Sequence, residues 1–372
     1  MPLQRPNSND FLSIFLNDTP LMDVRAPVEY TKGSFEQATN IPILDDVQRE
    51  TIGTCYKEQG PEAAVKLGYQ LATDDIRQAR LNDWQRFVQS HPEGYFFCFR
   101  GGQRSHITQA WLAEAGDHYP LIKGGYKAMR RFLIDELELS VAACDLVILS
   151  GKTGTGKTRL IYQVQDSIDL EGLANHRGSS FGRRVGGQPG QIDFENRLSV
   201  ALLKHKHFKQ QRPVLLEDES KLIGRCSLPQ SLRDKMQVSP LILLEEPLEE
   251  RIEVGLQEYI RDNLHDFTAV YGEEEGFEQF AEGLRASLYR IRRRLGGERY
   301  QTMQDILSSA LTSHQSSGSI EGYRALIATL LTDYYDPMYD YQLTQKAGKV
   351  LFKGNRQAIL EAYPDIIQSL NT

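Results

Sequence analysis

Along residues 8–136, short apolar runs alternate with longer stretches in which apolar positions recur every three or four residues. The runs LMDV, NIPIL, YFFCF and YPLIKGG read as strands, and 74–89 and 105–115 as helices between them, a rhythm that predicts an α/β unit. The stretch 128–139 has a helical period and a fresh apolar run, DLVIL, starts at residue 145, which puts a boundary within 137–144. This run, DLVILSG, is followed by two more: PVLLEDES at 213–220 and PLILLEEP at 240–247. Unbroken runs of this kind suit parallel strands covered on both faces. After DLVILS, the segment RLIYQVQDSI continues as a helix, and beyond Pro247 the pattern is nearly all helical, over 249–263, 276–295 and 320–340. No repeat of period 20–50 residues is visible, and biased composition is confined to a serine-rich patch at 308–319. The pattern divides the chain into an α/β unit at 1–140, a parallel-sheet unit at 141–255 and a helical portion at 256–372.

Composition narrows the functional classes. The 372 residues, 40% hydrophobic and 25% charged, give ample material for buried cores and exclude a disordered or collagen-like chain. Forty-three Lys and Arg against 50 Asp and Glu leave a net charge of -7, which excludes a globally basic coat, so a polyanion has to be met by local patches. Cys55, Cys98, Cys144 and Cys226 form no CxxC pair and read as reduced thiols. The start, MPLQRPNSNDFLSIFLND, lacks a cationic segment followed by an apolar core, and no stretch approaches the length of a membrane span. A cytoplasmic monomer without a membrane partner is the expectation.

The first chemical motif is YFFCFRGGQRSH. Cys98 ends an aromatic strand, Arg100, Gly101, Gly102 and Arg104 follow, and Ser105 reads as the N-cap of the next helix. Glycines allow close backbone approach, so amides could converge on the sulfur while two guanidinium groups add positive potential; such a loop suits an anionic sulfur and an oxyanion. The segment resembles the cysteine loop of rhodanese sulfurtransferase domains. The likeness extends to Leu21, Met22, Asp23, Val24, Arg25, Glu29 and Tyr30, to GSFEQATNIP at 33–42, and to Lys123, Gly124, Gly125 and Tyr126. It implies a rhodanese-like fold in which Cys98 carries sulfur or selenium as a persulfide or perselenide, with Arg100 and Arg104 beside it. Ser34 stands where that family usually has His, and the C-x5-R spacing is one residue longer than the common sulfurtransferase form. The longer form occurs in phosphatases of related fold, which keeps a Cys-dependent phosphatase open.

The second motif, GKTGTGKT at 151–158, fits G-x4-G-K-[ST] between a strand and a helix. Gly151, Gly154 and Gly156 let amides cradle a di- or triphosphate, Lys157 reaches terminal oxygens, and Thr158 holds Mg2+ where a metal is used. The strand PVLLEDES ends in Glu217, Asp218 and Glu219, and Glu217 or Asp218 could organise such an ion through water. Between them, DLEGLANHRGSSFG reads as a loop whose His176, Arg177 and Ser179 are candidates for substrate contact. Two basic runs complete the inventory: Lys204, His205, Lys206, His207, Lys209 and Arg212, and Arg290, Arg292, Arg293, Arg294 and Arg299. With Tyr289, Tyr300, Tyr334, Tyr335, Tyr339 and Tyr341 they could form a groove for RNA phosphates and splayed bases, and Lys204, Lys206, Arg292 and Arg293 are the candidate RNA contacts.

In this order, with HRGSSFG after the phosphate loop, EDESKLIGR at 217–225, LEEPLEERI at 244–252 and YYDPMYDYQ at 334–342, nearly the whole chain resembles the bacterial tRNA 2-selenouridine synthase family. The resemblance implies a selenotransferase that replaces sulfur by selenium at C2 of wobble 2-thiouridine in tRNAs for Lys, Glu and Gln. It implies selenophosphate as donor, an S-geranyl intermediate made from geranyl diphosphate, and a selenophosphate-producing enzyme as partner. A generic sulfurtransferase or Cys-dependent phosphatase fused to a P-loop kinase is the enzymatic alternative, and an RNA-binding scaffold with two disabled sites the non-enzymatic one.

Overall fold

The structure, a computed structural model, describes residues 5–209, 212–344 and 349–370; the first four residues of the N-terminal segment read above lie outside it. The chain forms two compact units, Met1–Ser140 with Gly190–Lys204, and Val141–Pro189 with His205–Thr372. The sequence pattern places 190–204 with the parallel-sheet unit. It belongs instead with the first, because polar side chains of the helix Gln191–Phe208 are bonded there. Ser34 N–H donates to Asp193 Oδ1 at 2.6 Å, Asn196 Nδ2 to Ser34 O at 2.7 Å, and Ser199 Oγ to Leu133 O at 2.7 Å.

In the first unit β1 (Leu21–Asp23), β2 (Ala38–Asn40) and β3 (Tyr95–Phe97) form a parallel sheet in the order β2-β1-β3. The run NIPIL does not itself form a strand. Pro42 has no N–H to give to a ladder, so β2 ends at Asn40, and Ile41 and Ile43 donate singly to Asp23 O and Val24 O at 3.0 and 3.2 Å. YPLIKGG likewise contributes only isolated bridges, Phe96 with Leu121 and Ser8 with Ile122. Met22, Val24, Phe96, Trp84, Trp111 and Leu112 make one face of the core, and Cys98 is packed among them. Burial of each large side chain contributes about 1.5–3 kcal/mol.

The second unit holds β4 (Leu146–Gly151), β5 (Ser167–Ile168), β6 (Val214–Glu217), a hairpin of β7 (Leu222–Ile223) and β8 (Cys226–Ser227), β9 (Leu241–Leu244) and β10 (Val350–Gly354). Five of these strands form a parallel sheet in the order β10-β9-β4-β6-β5, with β4, β6 and β9 wholly buried as their apolar runs predict. Two strands depart from the sequence reading. RLIYQVQDSI holds only the end of a short helix, Lys157–Ile161; Ser167 Oγ then donates to Ile161 O and Val164 O at 2.7 Å and the chain enters β5. The near-helical stretch after Pro247 is interrupted by β10, an edge strand of alternating burial paired with β9.

The helical remainder is joined through two π-helical turns. Leu256–Arg261 sits between the helices Leu248–Gly255 and Asp262–Tyr271, and Leu330–Tyr335 between Gly322–Thr329 and Asp336–Thr344. Each turn widens the helix by a residue, a device that recurs at functional sites. The long helices Glu273–Leu295 and Gly297–Ser317 pack Phe280, Leu284, Leu288 and Ile291 against Met303, Leu307, Tyr323 and Leu330. Among the described residues no helix is long and apolar enough to cross a membrane.

Candidate functional site

β4 is the central strand, and the chain leaves its carboxyl end as Gly151–Thr158, the place where parallel sheets bind ligands. Gly151 is pressed against β9: a Cβ there would lie 2.6 Å from Leu244 O. Gly154 has φ +82°, with its Cβ direction 2.9 Å from Arg251 O, and Gly156 caps the following helix at φ +79°. Arg251, 4% exposed, braces the outside of the loop; its Nε donates to Thr153 O at 2.9 Å and its fork grips Asp336 at 2.9 and 2.6 Å. Lys157 folds back over the loop, donating from Nζ to Gly151 O at 2.9 Å. The first amides of a helix have no acceptor within it, so this loop presents donors to an anion.

The loop opens into a cavity of about 600 Å³ within the second unit, walled also by Arg177, Ser179, Asp218, Glu219, Tyr259 and Tyr335. Tyr259 and the Tyr334–Tyr335 pair enter from the two π-helical turns, and Lys157 Nζ lies 5.8 Å from the Tyr339 ring. Of the residues singled out from sequence, Gly154, Gly156, Lys157, Thr158, Arg177, Ser179 and Asp218 are brought together here. Glu217 is not on the wall: it is fully buried, with Oε2 accepting Leu170 N–H at 2.8 Å, and so ties the strand to the next helix.

Sequence reasoning missed Glu171, which faces the phosphate loop. Thr158 Oγ1 donates to Glu171 Oε2 at 3.3 Å, and the Glu171 and Glu219 carboxyls lie close enough to each other to influence one another's proton. Burial pushes both upward, with mutual repulsion adding to the rise of Glu219; burial and the neighbouring Asp169 and Glu171 do the same to Glu217. Burial pulls Lys157 downward, but Tyr339, Glu171, Glu219 and Asp218 outweigh it and hold the ammonium above its usual range. No spacing signal marks Glu171; it lies thirteen positions beyond Thr158 in an ordinary helical turn.

The cysteine loop lies in the first unit. Cys98 follows β3 and is 3% exposed. Ser105 does not cap the helix Gln103–Glu114; it lies inside the first turn, buried, and its Oγ accepts Cys98 N–H at 3.0 Å, while Gly102 takes the cap position. The loop closes against Gly124 and Gly125: Tyr126 N–H donates to Cys98 O at 2.9 Å, and a Cβ on Gly125 would meet that oxygen at 2.3 Å. Arg104 is paired with Glu29, Nη2 to Oε1 at 3.1 Å, and Glu29, Cys98 and Asp23 together hold its guanidinium in the charged form against burial. Arg100 stays on the outer side, its guanidinium 5.9 Å from the Phe99 ring. Below it, Arg25 holds Asp23 through Nε at 2.8 Å and reaches Gly33 O at 2.8 Å, both side chains wholly buried.

Most charged groups of the first basic run are engaged. Lys204 is ion-paired with Asp18, Lys209 and Arg212 with Asp166 at 3.5 and 3.0 Å, and buried His205 shares a hydrogen bond with Arg212 O at 2.8 Å. In the second run Arg292 lies 3.5 Å from the Tyr289 ring and Arg293 is exposed, whereas Arg294 reaches the cavity wall and Tyr334 OH at 3.4 Å.

Fold and site together define a parallel-sheet α/β protein with a glycine-rich phosphate loop at the end of its central strand and a helical C-terminal part. The model of the tRNA 2-selenouridine synthase AAA domain matches residues 144–369. A tRNA 2-selenouridine synthase of Marinobacter nauticus is 55% identical over 96% of this chain and 97% of its own length. Those of Alcanivorax borkumensis and Hahella chejuensis are 52% and 50% identical, over 95% and 96% of this chain and 98% and 94% of theirs. The chain belongs to the tRNA 2-selenouridine synthase family.

Proposed function

We propose that this chain replaces sulfur by selenium at C2 of wobble 2-thiouridine in tRNAs for Lys, Glu and Gln, with selenophosphate as donor. The observation that carries this reading is the 55% identity across 96% of the chain to a relative of that name. The cysteine loop is read as a rhodanese-like seat for selenophosphate: Arg104 and Arg100 supply positive potential for its phosphoryl oxygens, the Gly124–Gly125 turn fixes the loop around Cys98, and the selenium displaces geranylthiol from C2 of the uridine before water releases the phosphoryl group as phosphate. Selenophosphate implies an enzyme that produces it as partner.

The phosphate loop is read as the seat of geranyl diphosphate, whose geranyl group goes to the thiouridine sulfur and makes it a better leaving group. Lys157 and the loop amides hold the diphosphate as it departs. Magnesium would be held by the Thr158 hydroxyl, with Asp218 reaching it through water, and supplies charge neutralisation for the leaving group. Arg292, Arg293 and Lys206 are read as tRNA contacts; Lys204, already paired with Asp18, contributes less.

Nucleoside mass spectrometry of 2-thiouridine tRNA, incubated with the protein and both donors or either alone, tests the proposal. A geranyl adduct followed by a sulfur-to-selenium mass shift is expected. Unchanged tRNA, with turnover of small thiols or aryl phosphates, would move the chain to a generic sulfurtransferase or phosphatase.

A further inference from the structure

A cationic group beside the phosphate loop has no role in the reading above. His176 and Arg183 form an antiparallel bridge, and Arg177 N–H donates to Gly182 O at 2.9 Å, so a tight hairpin gathers Arg177, Arg183 and Arg184. Gly182 has no room for a side chain, since a Cβ would lie 2.9 Å from the Arg177 backbone. Arg290, from the helix Glu273–Leu295, is fastened to the same hairpin by Nη2 donating to Ser180 O at 2.8 Å.

Four guanidinium groups thus act on one imidazole, those of Arg183 and Arg290 from exposed positions; Glu258 and Asp266 act on Arg177 and Glu171 on Arg184, but among the described residues none of the four is held in an ion pair with a carboxylate. His176 is 7% exposed, and its Nδ1 has no hydrogen-bond partner; Arg177 Nη1 and Arg184 Nε are likewise buried without one. Buried polar nitrogens left unpaired are costly, and like charges at this density repel. Burial first, then Arg290, Arg184, Arg183 and Arg177, hold the imidazole neutral, down to about 4. Everything missing from the group is supplied by one tetrahedral oxyanion: acceptors for guanidinium forks, a counter-charge, and a partner for an imidazole N–H.

We propose that His176, Arg177, Arg183, Arg184 and Arg290 form a second oxyanion site, built for a phosphate group other than the one seated in Gly151–Thr158. Arg177, Ser179 and Ser180 belong to the wall of the same cavity as the phosphate loop, so a substrate can engage both. Only the source of the phosphate rests on the reading of the chain as a tRNA-modifying enzyme: it is a backbone phosphate of the polynucleotide or the phosphoryl group of a small donor.

The test uses the full chain and the variants Arg184→Gln and Arg290→Gln. Binding of a 2-thiouridine tRNA is followed by fluorescence anisotropy over a salt series, binding of inorganic diphosphate by calorimetry, and the rise in Tm with inorganic phosphate in a Lys157→Ala background, which silences the phosphate loop. Each variant is expected to weaken tRNA binding about tenfold and to lower the salt slope by about 0.7–0.9, the value of one phosphate contact, with diphosphate affinity unchanged. Arg184→Gln is also expected to melt no lower than wild type without phosphate, because a repelling charge has gone. A wild-type salt slope with loss of the phosphate-induced Tm rise assigns the site to a small donor. Wild-type slope together with wild-type phosphate response in both variants overturns the proposal. Failure of the unmodified chain to bind 2-thiouridine tRNA counts against the tRNA reading, and the phosphate arm then decides the site alone.

Discussion

The cysteine loop and the phosphate loop share one plan: a parallel strand ends, glycines turn the chain, and a helix begins. They differ in what is left unpaired. Around Cys98 the charges are matched within the protein, Arg104 by Glu29 and Arg25 by Asp23, and the thiol sits in an apolar core. Around the phosphate loop ionisable groups crowd together: Lys157 faces Glu171, Glu219 and Asp218, and among the described residues Arg177, Arg183, Arg184 and Arg290 make no ion pair with a carboxylate. A loop whose sulfur is buried and whose arginines are already paired gains order from neutral, tight surroundings. A pocket that holds phosphates gains from charge that only the ligand compensates.

The largest effect separates the two regions by chemistry. Cys98→Ala is expected to reduce selenium incorporation about 10³-fold or more while leaving tRNA affinity unchanged, since no other thiol of the loop can stand beside the selenium donor. Lys157→Ala is expected to cost about 10²–10³ in the rate of diphosphate-releasing transfer, read by steady-state kinetics with geranyl diphosphate. A stability comparison sharpens the contrast in loop closure. Gly125→Ala adds a Cβ 2.3 Å from Cys98 O at φ +59°, and urea unfolding should register a loss of about 2–3 kcal/mol. Gly102→Ala, with open space around it, should shift stability by less than about 1 kcal/mol.

The pH dependence of the second region has a definite sign. His176 is held at about 4 against an ordinary 6.5, so the folded state favours the neutral ring. Its contribution is complete above the ordinary value and is lost as pH falls towards 4. Between about pH 7 and pH 5 it should remove about 1–2 kcal/mol, after allowance for solvent screening. Glu171, Glu217 and Glu219, pushed upward, act in the opposite sense, costing stability as pH rises past the ordinary carboxylate range. The difference between wild type and His176→Gln in urea unfolding isolates the histidine; parallel curves would contradict its placement. The smallest effect concerns the basic runs: Arg293→Ala should lower the tRNA salt slope by about 0.7, and Lys204→Ala by less than half of that, because Asp18 already neutralises Lys204.

What the chain revealed in advance follows the range of the interactions. The strands leading to Cys98 and Gly151 were legible because apolar runs, glycines and the loop cations lie within 95–104 and 146–157. The placement of 190–204 was not, since it depends on Ser34 and Leu133, more than sixty residues away in sequence. β5, two residues long, and β10, an alternating edge strand, carry too little apolar signal to stand out from helix. Ser105 looked like a cap because small hydroxyl residues favour that position; its hydrogen bond to Cys98 N–H is a consequence of the loop's shape. Glu171 lies inside the loop read at 169–182 with nothing to single it out, and Arg183 and Arg184 lie just beyond it; the turn after Asp169 brings Glu171 to the cavity, and the hairpin at 176–183 places Arg183 opposite His176. In the run 204–212 the acids that quench its charge, Asp18 and Asp166, come from elsewhere in the chain.

The central claim is a division of labour, with selenium at the cysteine loop and phosphates at the cavity. Nucleoside mass spectrometry on 2-thiouridine tRNA treated with Cys98→Ala and with Lys157→Ala, both donors present, tests it most directly. The account predicts that Cys98→Ala accumulates the geranylated nucleoside without selenouridine and that Lys157→Ala yields neither product. Selenouridine from Cys98→Ala, or normal geranylation by Lys157→Ala, would contradict it.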